Sequence, residues 1–300
     1  MKVVVTGGTG FLGRALVSVL LGRGNDVVVV TRDPAKARVS AGARAVSWGD
    51  LPRAVEGAGA VVNLAGETIA QRWTPAAKAR IVGSRAEAAA KVGEALRAAK
   101  AKPAVLVNAS AVGFYGNRGD EELTEVSRPG SGFLAETTLA WEEAARRAVS
   151  EGVRLVLPRI GIVLGEEGGA LSKMLLPFRL GLGGPLGSGA QWMSWIHRDD
   201  LVALLVNALE DPRFEGPVNA VAPSPVTMKE FAATLGRVLH RPAFAPAPAF
   251  AIRAAMGEMA ALVLDGQKVV PTKASAIGFR FRFAALEPAL REILGRASGN

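Results

Sequence analysis

Cysteine is absent from this sequence, and histidine occurs only twice among its 300 residues. Without cysteine the chain has no disulfide bond, no thiolate nucleophile and no soft metal ligand. The two histidines, His197 and His240, lie far apart in the sequence and lack the neighbouring ligands that define a zinc site. We therefore expect no metal site. Because a lack of cysteine suits a reducing compartment, we predict a cytoplasmic location.

Long apolar runs and clusters of basic residues are also missing. A membrane helix needs roughly 20 apolar residues, and the most apolar stretch, 243–264, is interrupted by Pro246, Pro248, Arg253 and Glu258. The first residues predict a strand rather than a secretory signal. The net charge of +9 raises the question of nucleic acid, but the arginines and lysines are scattered and no aromatics lie between them. We expect neither a membrane nor a nucleic-acid partner.

The most informative stretch is residues 2–13, Lys-Val-Val-Val-Thr-Gly-Gly-Thr-Gly-Phe-Leu-Gly. Its valines predict a strand that is buried on both faces, and residues 15–21 predict a helix. Of the three spaced glycines, Gly7 permits a tight turn, Gly10 lets the backbone approach a pyrophosphate, and Gly13 lets the helix pack closely. The helix N-terminus offers free N–H groups to phosphate. Strand, glycine turn and helix together predict a dinucleotide-binding site.

The second predicted strand, residues 26–31, indicates which nucleotide is bound. Sites that prefer NAD carry an acidic residue near its end, which holds the ribose 2′-hydroxyl. This chain has Thr31 and Arg32 there, and a guanidinium group suits the 2′-phosphate of NADP. Two alternatives stay open: Asp33 could turn inward and favour NAD, or Arg32 could be a solvated surface charge.

The rest of the chain continues the alternation of strands and helices that is typical of a doubly wound parallel sheet. We predict an α/β protein with a Rossmann-type sheet and a smaller C-terminal α/β substrate lobe. The nucleotide-binding domain takes residues 1–165, with its sheet completed by part of 190–222. Residues 166–300 form mainly the substrate lobe and a C-terminal helical segment, and the glycine- and proline-rich stretch 177–189 is predicted to be a loop over the site. Further strands are predicted over 43–48, 60–64, 104–109, 153–158 and 218–220, and helices over 34–41, 51–56, 74–99, 133–149, 201–209 and 227–239.

Several ordered motifs resemble the extended short-chain dehydrogenase/reductase superfamily. They are Thr-Gly-Gly-Thr-Gly-Phe-Leu-Gly (6–13), Asn-Leu-Ala-Gly (63–66), Ser110 followed by Phe-Tyr-Gly (114–116), and Trp-Ile-His (195–197) followed by Asp200 and Leu201. More narrowly, residues 63–67, 83–85 and 175–185 are similar to the atypical "epimerase family protein" branch. Its members are NAD(P)-dependent epimerase/dehydratase-like proteins with a C-terminal domain of unassigned function. The resemblance spans essentially the whole chain.

This resemblance implies a Rossmann domain with a small substrate lobe and NADP(H) as the cofactor. It places the nucleotide contacts in the glycine turn, at the end of the second strand, after the fourth strand and on the long helix that follows. These residues are Gly7, Gly10, Phe11, Leu12, Gly13, Thr31, Arg32, Leu64, Ala65, Gly66, Arg80, Arg85 and Ile160.

The chain departs from the superfamily at the catalytic pair. Ordinary members use a tyrosine and a lysine four residues later, and the lysine lowers the tyrosine pKa so that it exchanges a proton with substrate while hydride moves. The one tyrosine here is Tyr115, and Gly119 lies four residues on. Where the pair would fall, the sequence has Phe133 and Thr137. Hydride transfer that depends on this pair is therefore excluded unless other groups replace it.

Two residues are the candidates for catalysis. Ser110 lies at the carboxyl end of the fifth strand, where the superfamily keeps a hydroxyl for the reacting oxygen, although Ala111 is a competing alignment. Tyr115 could donate a proton, but with no lysine nearby we expect its pKa to stay near 10. Packing of the pocket wall is the alternative role for Tyr115.

The candidate substrate residues are aromatic, charged or titratable groups near the ends of strands and helices. A role in linking the two lobes is the alternative for His197. The substrate is expected to be a small molecule, either a carbonyl compound or a sugar nucleotide. The candidates are Glu67, Trp73, Phe114, Arg159, Trp192 and His197.

Two functions are consistent with these features. The first is an NADP(H)-dependent oxidoreductase or epimerase with a rebuilt acid–base set, which the retained pocket residues favour. The second is a non-catalytic NADP(H)-binding protein that acts through a protein partner, which the missing pair favours. A homodimer is compatible with either function.

Overall fold

This computed structural model describes residues 1–165 and 167–297, with strands and helices alternating through the first two thirds of the chain. The strands are β1 (Lys2–Thr6), β2 (Asp26–Thr31), β3 (Arg44–Ser47), β4 (Ala60–Asn63), β5 (Val105–Asn108), β6 (Ser110–Ala111), β7 (Glu122–Leu123), β8 (Arg154–Ile160), β9 (Ile162–Leu164), β10 (Trp192–Met193), β11 (Trp195–His197), β12 (Gly216–Ala220), β13 (Val226–Thr227) and β14 (Lys268–Val269). The helices are α1 (Phe11–Gly22), α2 (Leu51–Val55), α3 (Pro75–Ala98), α4 (Phe133–Ala148), α5 (Gly169–Arg179), α6 (Arg198–Glu210), α7 (Met228–Leu239), α8 (Ala249–Met256), α9 (Ala261–Leu264), α10 (Thr272–Ile277) and α11 (Leu286–Ala297). None of these described helices has both the length and the apolar character needed to cross a membrane.

The central sheet is parallel and has the order β12-β8-β5-β4-β1-β2-β3, with the short β6 paired to β8. The chain builds outward from β1 in one direction as far as β3 and then returns to add β4 on the other side. The crevice between the carboxyl ends of β1 and β4 is therefore the switch point at which ligands bind in such sheets. This order confirms the predicted doubly wound Rossmann fold.

Helices cover both faces of this sheet, as its buried valines require. Val3 and Val5 on one face pack with α1 and α6, and Val4 on the other face packs with α2 and α3. Helix α3 begins where the sequence indicates, because the Thr74 hydroxyl accepts a hydrogen bond from the Ala77 N–H and proline occupies the first helical position.

A second, smaller core builds the C-terminal lobe. Helices α5, α7 and α11 bury an apolar cluster that includes Leu171, Phe231, Leu235 and Leu290. Short strand pairs, β10 with β13 and β7 with β14, fix the connecting segments. The β7–β14 pair hydrogen-bonds the loop after β6 to the C-terminal segment, so the last part of the chain contacts the nucleotide-binding part directly.

Two predicted elements differ from the structure. Residues 34–41 form a turn followed by irregular chain instead of a helix, because the Asp33 carboxylate accepts the Lys36 N–H at 3.3 Å and no apolar stripe drives helix formation there. The predicted loop 177–189 begins later than expected, since α5 continues through Pro177 to Arg179.

Candidate functional site

A chain of buried polar side chains crosses the switch point. The Thr6 hydroxyl donates to Asn63 Oδ1 at 2.5 Å, and Asn63 Nδ2 donates to Asn108 Oδ1 at 2.6 Å. Asn63 Oδ1 also accepts the Ala65 N–H at 3.3 Å. The ends of β1, β4 and β5 are therefore held together, and the loop that begins at Leu64 is fixed against them.

The glycine turn packs against this loop with no space for side chains. Gly7 has a left-handed φ of 69°, and a Cβ there would lie 2.7 Å from the carbonyl of Leu64. A Cβ on Gly13 would lie 2.2 Å from Gly7 O. The first turn of α1 carries no acidic side chain, so its N–H groups and positive dipole end are open to an anion. This cradle fits a pyrophosphate.

The end of β2 carries the residues predicted to choose the nucleotide. Thr31 is half-buried and Arg32 is exposed. The Asp33 carboxylate forms an ion pair with Lys36 at 3.2 Å, within its own turn. Asp33 is thus engaged locally, and Arg32 is the charged group available to a 2′-phosphate.

Several predicted cofactor residues meet after β4. Glu67 accepts hydrogen bonds from Gln71 at 3.3 Å and Arg80 at 3.4 Å, which hold the pKa of Glu67 below its usual range. The Arg85 guanidinium lies 5.0 Å from the Trp141 ring. A Cβ on Gly66 would lie 3.3 Å from Arg85, so the glycine allows that arginine to lie flat against the loop.

The candidate catalytic hydroxyls belong to a buried network. Ser110 donates to Glu142 Oε1 at 2.7 Å, and Arg159 donates to both oxygens of Glu142 at 2.8 and 3.1 Å. Tyr115 accepts from Arg159 Nη1 at 2.9 Å and lies 2.6 Å from Asn219 Oδ1, to which its hydroxyl can donate. The network places Arg159, predicted to bind substrate, beneath the surface and against a carboxylate. Glu142 and Asn219 were not predicted from the sequence.

Electrostatics set the protonation of this network. Burial alone would raise the pKa of Glu142, but the hydrogen bonds and charge of Arg159 bring it below its usual value. Burial raises the pKa of Tyr115, and the positive charge of Arg159 offsets only part of that effect. Tyr115 therefore keeps its proton at neutral pH. The catalytic roles of Ser110 and Tyr115 remain predictions.

An aromatic pair lies at the start of α4, where the resemblance leads one to expect the catalytic tyrosine. The Phe133 ring lies edge-on to Trp73 with centroids 4.8 Å apart, and Lys78 Nζ lies 5.1 Å from the Phe133 centroid. Lys78 also forms an ion pair with Glu258 of the C-terminal segment. One helical turn on, the buried Thr137 hydroxyl has no hydrogen-bond partner within the described residues. An unpartnered buried hydroxyl at this point fits a polar ligand group.

The remaining predicted residues are dispersed. Phe114 is buried under Arg159, whose guanidinium carbon lies 3.5 Å from the ring centroid. Trp192 donates to Asp120 at 2.7 Å, in the smaller lobe's strand pairs. Ile160 ends β8, between β6 and β12. Phe114 and Arg159 thus contact each other, Glu67 and Trp73 lie on the segment that follows β4, and the substrate role of the six candidates stays a prediction.

His197 connects β11 to the C-terminal helix. The Asp199 N–H donates to His197 Nδ1 at 3.1 Å, so the proton of the neutral imidazole lies on Nε2 and is donated to Glu292 Oε2, also at 3.1 Å. The Phe283 ring stacks against the imidazole with centroids 4.1 Å apart. These contacts give His197 the linking role that the sequence left open.

This buried histidine predicts a pH dependence. Burial lowers the pKa of His197, although the carboxylates of Asp199 and Glu292 act in the opposite direction. Below about pH 6.5 the unfolded chain binds a proton that the folded chain does not. The contribution of His197 is thus complete above about pH 6.5 and falls below it, by at most about 1.4 kcal/mol per pH unit. Urea unfolding at about pH 7.5 and pH 5.5 should show a smaller pH-dependent loss for His197→Asn than for the wild type; equal losses would contradict this.

Two regions of the chain match known protein families. Residues 3–221 match the model of the NAD dependent epimerase/dehydratase family, and residues 247–293 match a domain of unknown function, DUF1731. The second region includes Glu258 and Glu292. The domain of unknown function therefore contacts the epimerase-family region through the Glu258–Lys78 and Glu292–His197 pairs.

Similar proteins match over nearly their whole length. Epimerase family protein SDR39U1 homolog, chloroplastic, of Arabidopsis thaliana is 44% identical over 98% of this chain and 87% of its own length. The human epimerase family protein SDR39U1 is 41% identical over 98% of this chain and 100% of its own length. The crystal structure of human SDR39U1 (isoform 2) with NADPH has a TM-score of 0.91 and 40% identity, covering 98% of this chain and 99% of that one. MoeE5 in complex with UDP-glucose and NAD, at 22% identity and a TM-score of 0.79 with both chains covered fully, shares the fold.

Proposed function

The chain belongs to the NAD dependent epimerase/dehydratase family, and from this premise we propose that it is an NADP(H)-binding oxidoreductase or epimerase-like enzyme without the usual tyrosine–lysine pair. The observation that carries the cofactor assignment is the glycine cradle, where Gly7, Gly13 and the carbonyl of Leu64 leave room only for a bare backbone. The crystal structure of human SDR39U1 with NADPH supports the same assignment.

Different parts of the cofactor would be bound by different segments of the chain. The backbone N–H groups at the start of α1 would hold the pyrophosphate, and Thr31 with Arg32 would hold the 2′-phosphate. The loop of Leu64, Ala65 and Gly66 lies at the switch point, where the nicotinamide half belongs. NADP(H), when bound, supplies or accepts a hydride. We propose that the buried Thr137 hydroxyl, which has no hydrogen-bond partner among the described residues, hydrogen-bonds a polar group of the bound ligand.

The substrate is proposed to be a small carbonyl compound or a sugar nucleotide, bound beside the half-buried Phe133 that packs on Trp73. Neither ring carries an acidic proton that could serve catalysis. A general acid would have to come from the charged groups around them, such as Lys78 beside the Phe133 ring or Glu67 on the segment after β4.

A second candidate function is supported by the buried network. Ser110 and Tyr115, the two hydroxyls most suited to catalysis by position, are committed to Glu142, Arg159 and Asn219. A protein that binds NADP(H) and acts through a partner requires no free hydroxyl there. Incubating the NADPH-loaded protein with pools of carbonyl compounds, sugar nucleotides and quinones separates the two functions, because an oxidoreductase oxidises the cofactor, an epimerase converts a sugar nucleotide into its epimer, and a binding protein does neither.

Calorimetric titration with NADPH and NADH tests the cofactor assignment. Wild-type protein should bind NADPH at least roughly tenfold more tightly than NADH, a gap of about 1.4 kcal/mol. Arg32→Ala should remove most of that preference, because a charge-assisted hydrogen bond contributes about 1.5–3 kcal/mol. Arg53→Ala, an exposed arginine on α2, serves as the control. Equal losses of NADPH and NADH affinity in Arg32→Ala would exclude Arg32 as the 2′-phosphate ligand.

A further inference from the structure

Helix α5 has two apolar faces, and only one of them is covered. Leu171, Leu175 and Phe178 are buried in the core of the smaller lobe. Leu176, on the other face, and Leu180, directly after the helix, are each 65% exposed. A surface helix normally presents polar residues to water. This outer face is therefore a place where the protein exposes apolar surface that its own fold does not cover.

The exposed apolar surface continues onto the next segments. Leu182 is 68% exposed and Phe244 is 80% exposed. Their segments run side by side, because Arg241 Nε donates to the carbonyl of Arg179 at 3.1 Å and the Ala245 N–H donates to Gly183 O at 3.2 Å. Of the eight large apolar side chains that are exposed among the described residues, five fall in 176–182 and 244–250. We call Leu176, Leu180, Leu182 and Phe244 the apolar ridge.

An open groove of about 700 Å³ lies beside this ridge, between α7 and α11. Small side chains leave the recess open, and Phe244 forms one side of it. The polar part is basic. The lining residues are Ala233, Gly236, Arg237, His240, Arg241, Ala243, Phe244 and Arg291.

The positive charge of this groove is only partly neutralised. Glu287 pairs with Arg237 at 3.1 Å and with Arg291 at 2.6 Å. Within the described part of the chain, neither Arg179 nor Arg241 forms an ion pair. Three arginines and one carboxylate thus meet at the groove, and a fourth arginine lies at its edge. An apolar patch with a charged rim is typical of an interaction surface.

We propose that the apolar ridge and the basic groove together bind an acidic amphipathic segment of a partner protein. Its apolar side chains would cover Leu182 and Phe244, and its carboxylates would pair with Arg241 and Arg179. A second copy of this chain is disfavoured as the occupant, because each copy carries a net charge of +9 and would bring the same arginines together.

A designed peptide tests this surface directly. The probe is a fluorescein-labelled amphipathic helix of about four turns built from glutamate and leucine, titrated into the full-length protein and followed by anisotropy. We expect binding that weakens as salt is added. Arg241→Glu and Phe244→Ser should each weaken it by roughly tenfold or more. A peptide with lysine in place of glutamate should not bind.

Matched controls separate a local effect from unfolding. Val126→Ser changes an apolar side chain that is 92% exposed elsewhere on the protein, and Arg97→Glu reverses an exposed charge on α3. Both should leave peptide binding unchanged. All four variants should bind NADPH as the wild type does, so a failure of cofactor binding is distinguished from a failure at this surface.

Several results would overturn the assignment. The acidic peptide could fail to bind, or it could bind equally well to Arg241→Glu and Phe244→Ser. Co-sedimentation with vesicles of phosphatidylglycerol and phosphatidylcholine that both variants abolish would identify a lipid surface instead. A dimer in sedimentation velocity that Phe244→Ser dissociates would show that a second copy covers the ridge.

Discussion

Glu142→Gln is expected to lower the free energy of unfolding by about 3–5 kcal/mol. Glu142 is fully buried, and its carboxylate receives two hydrogen bonds from Arg159, which is only 3% exposed. Removing the negative charge leaves a guanidinium group buried beside neutral partners, and breaking a buried pair in this way has a cost of that size. Ser110, which donates to Glu142 Oε1, would lose its charged acceptor as well. Urea denaturation at neutral pH measures the change.

The neighbouring residue provides the control. Glu143→Gln removes a half-exposed carboxylate whose ion pair with Arg147 is 3.9 Å long. An exposed pair contributes at most about 1 kcal/mol, so this change should be small. If the two variants were equally stable, the Glu142–Arg159 pair would not be a structural element of the fold.

The same carboxylate also predicts instability in acid. The pKa of Glu142 lies below its usual value in the folded chain. Its contribution is therefore complete above about pH 4.3 and is lost as the pH falls through the folded pKa. The contribution of His197 begins to fall near pH 6.5 and that of Glu142 only near pH 4.3, so a loss between these two pH values comes from His197 and not from Glu142.

The fold was predictable because its signals are local. The valines of residues 3–5, the glycines that follow them and the cap at Thr74 act within one or two turns of chain. In the structure these residues form the predicted strand, the tight glycine turn and the capped start of α3. The prediction for 34–41 was wrong because a short segment with no apolar stripe follows its side-chain hydrogen bonds, and here Asp33 captures the Lys36 N–H.

The buried network was not predictable from the sequence. Glu142 lies on α4 beside Trp141, where a glutamate is usually a solvent-facing residue. Arg146, one helical turn on, is its one local partner among the described residues, whereas its partners Ser110 and Arg159 lie 32 and 17 residues away and Asn219 lies 104 residues from Tyr115. Nothing in a local pattern distinguishes a buried carboxylate with such distant partners from an exposed one. The cofactor residues were more accessible to prediction because the glycine motif itself builds the cradle.

Gly13→Ala is expected to abolish most NADPH binding while leaving the fold intact. The new methyl group would lie 2.2 Å from Gly7 O and 2.6 Å from Gly8 Cα, which are backbone atoms that cannot rotate away. Helix α1 must then shift from the glycine turn, and its N–H groups move off the pyrophosphate. We expect at least a 100-fold loss of NADPH affinity, about 2.8 kcal/mol, and a fall of about 1–3 kcal/mol in the free energy of unfolding.

Gly22→Ala is the matched change at the other end of the same helix. A Cβ on Gly22 meets no described atom within 4 Å. This substitution should leave NADPH binding unaltered and stabilise the protein slightly, because alanine favours a helix over glycine by roughly 0.5–1 kcal/mol. Calorimetric titration of both variants with NADPH measures the two affinities. Wild-type NADPH affinity in Gly13→Ala would mean that the close approach of α1 to the turn does not hold the pyrophosphate, and the cofactor would have to be placed elsewhere on the sheet.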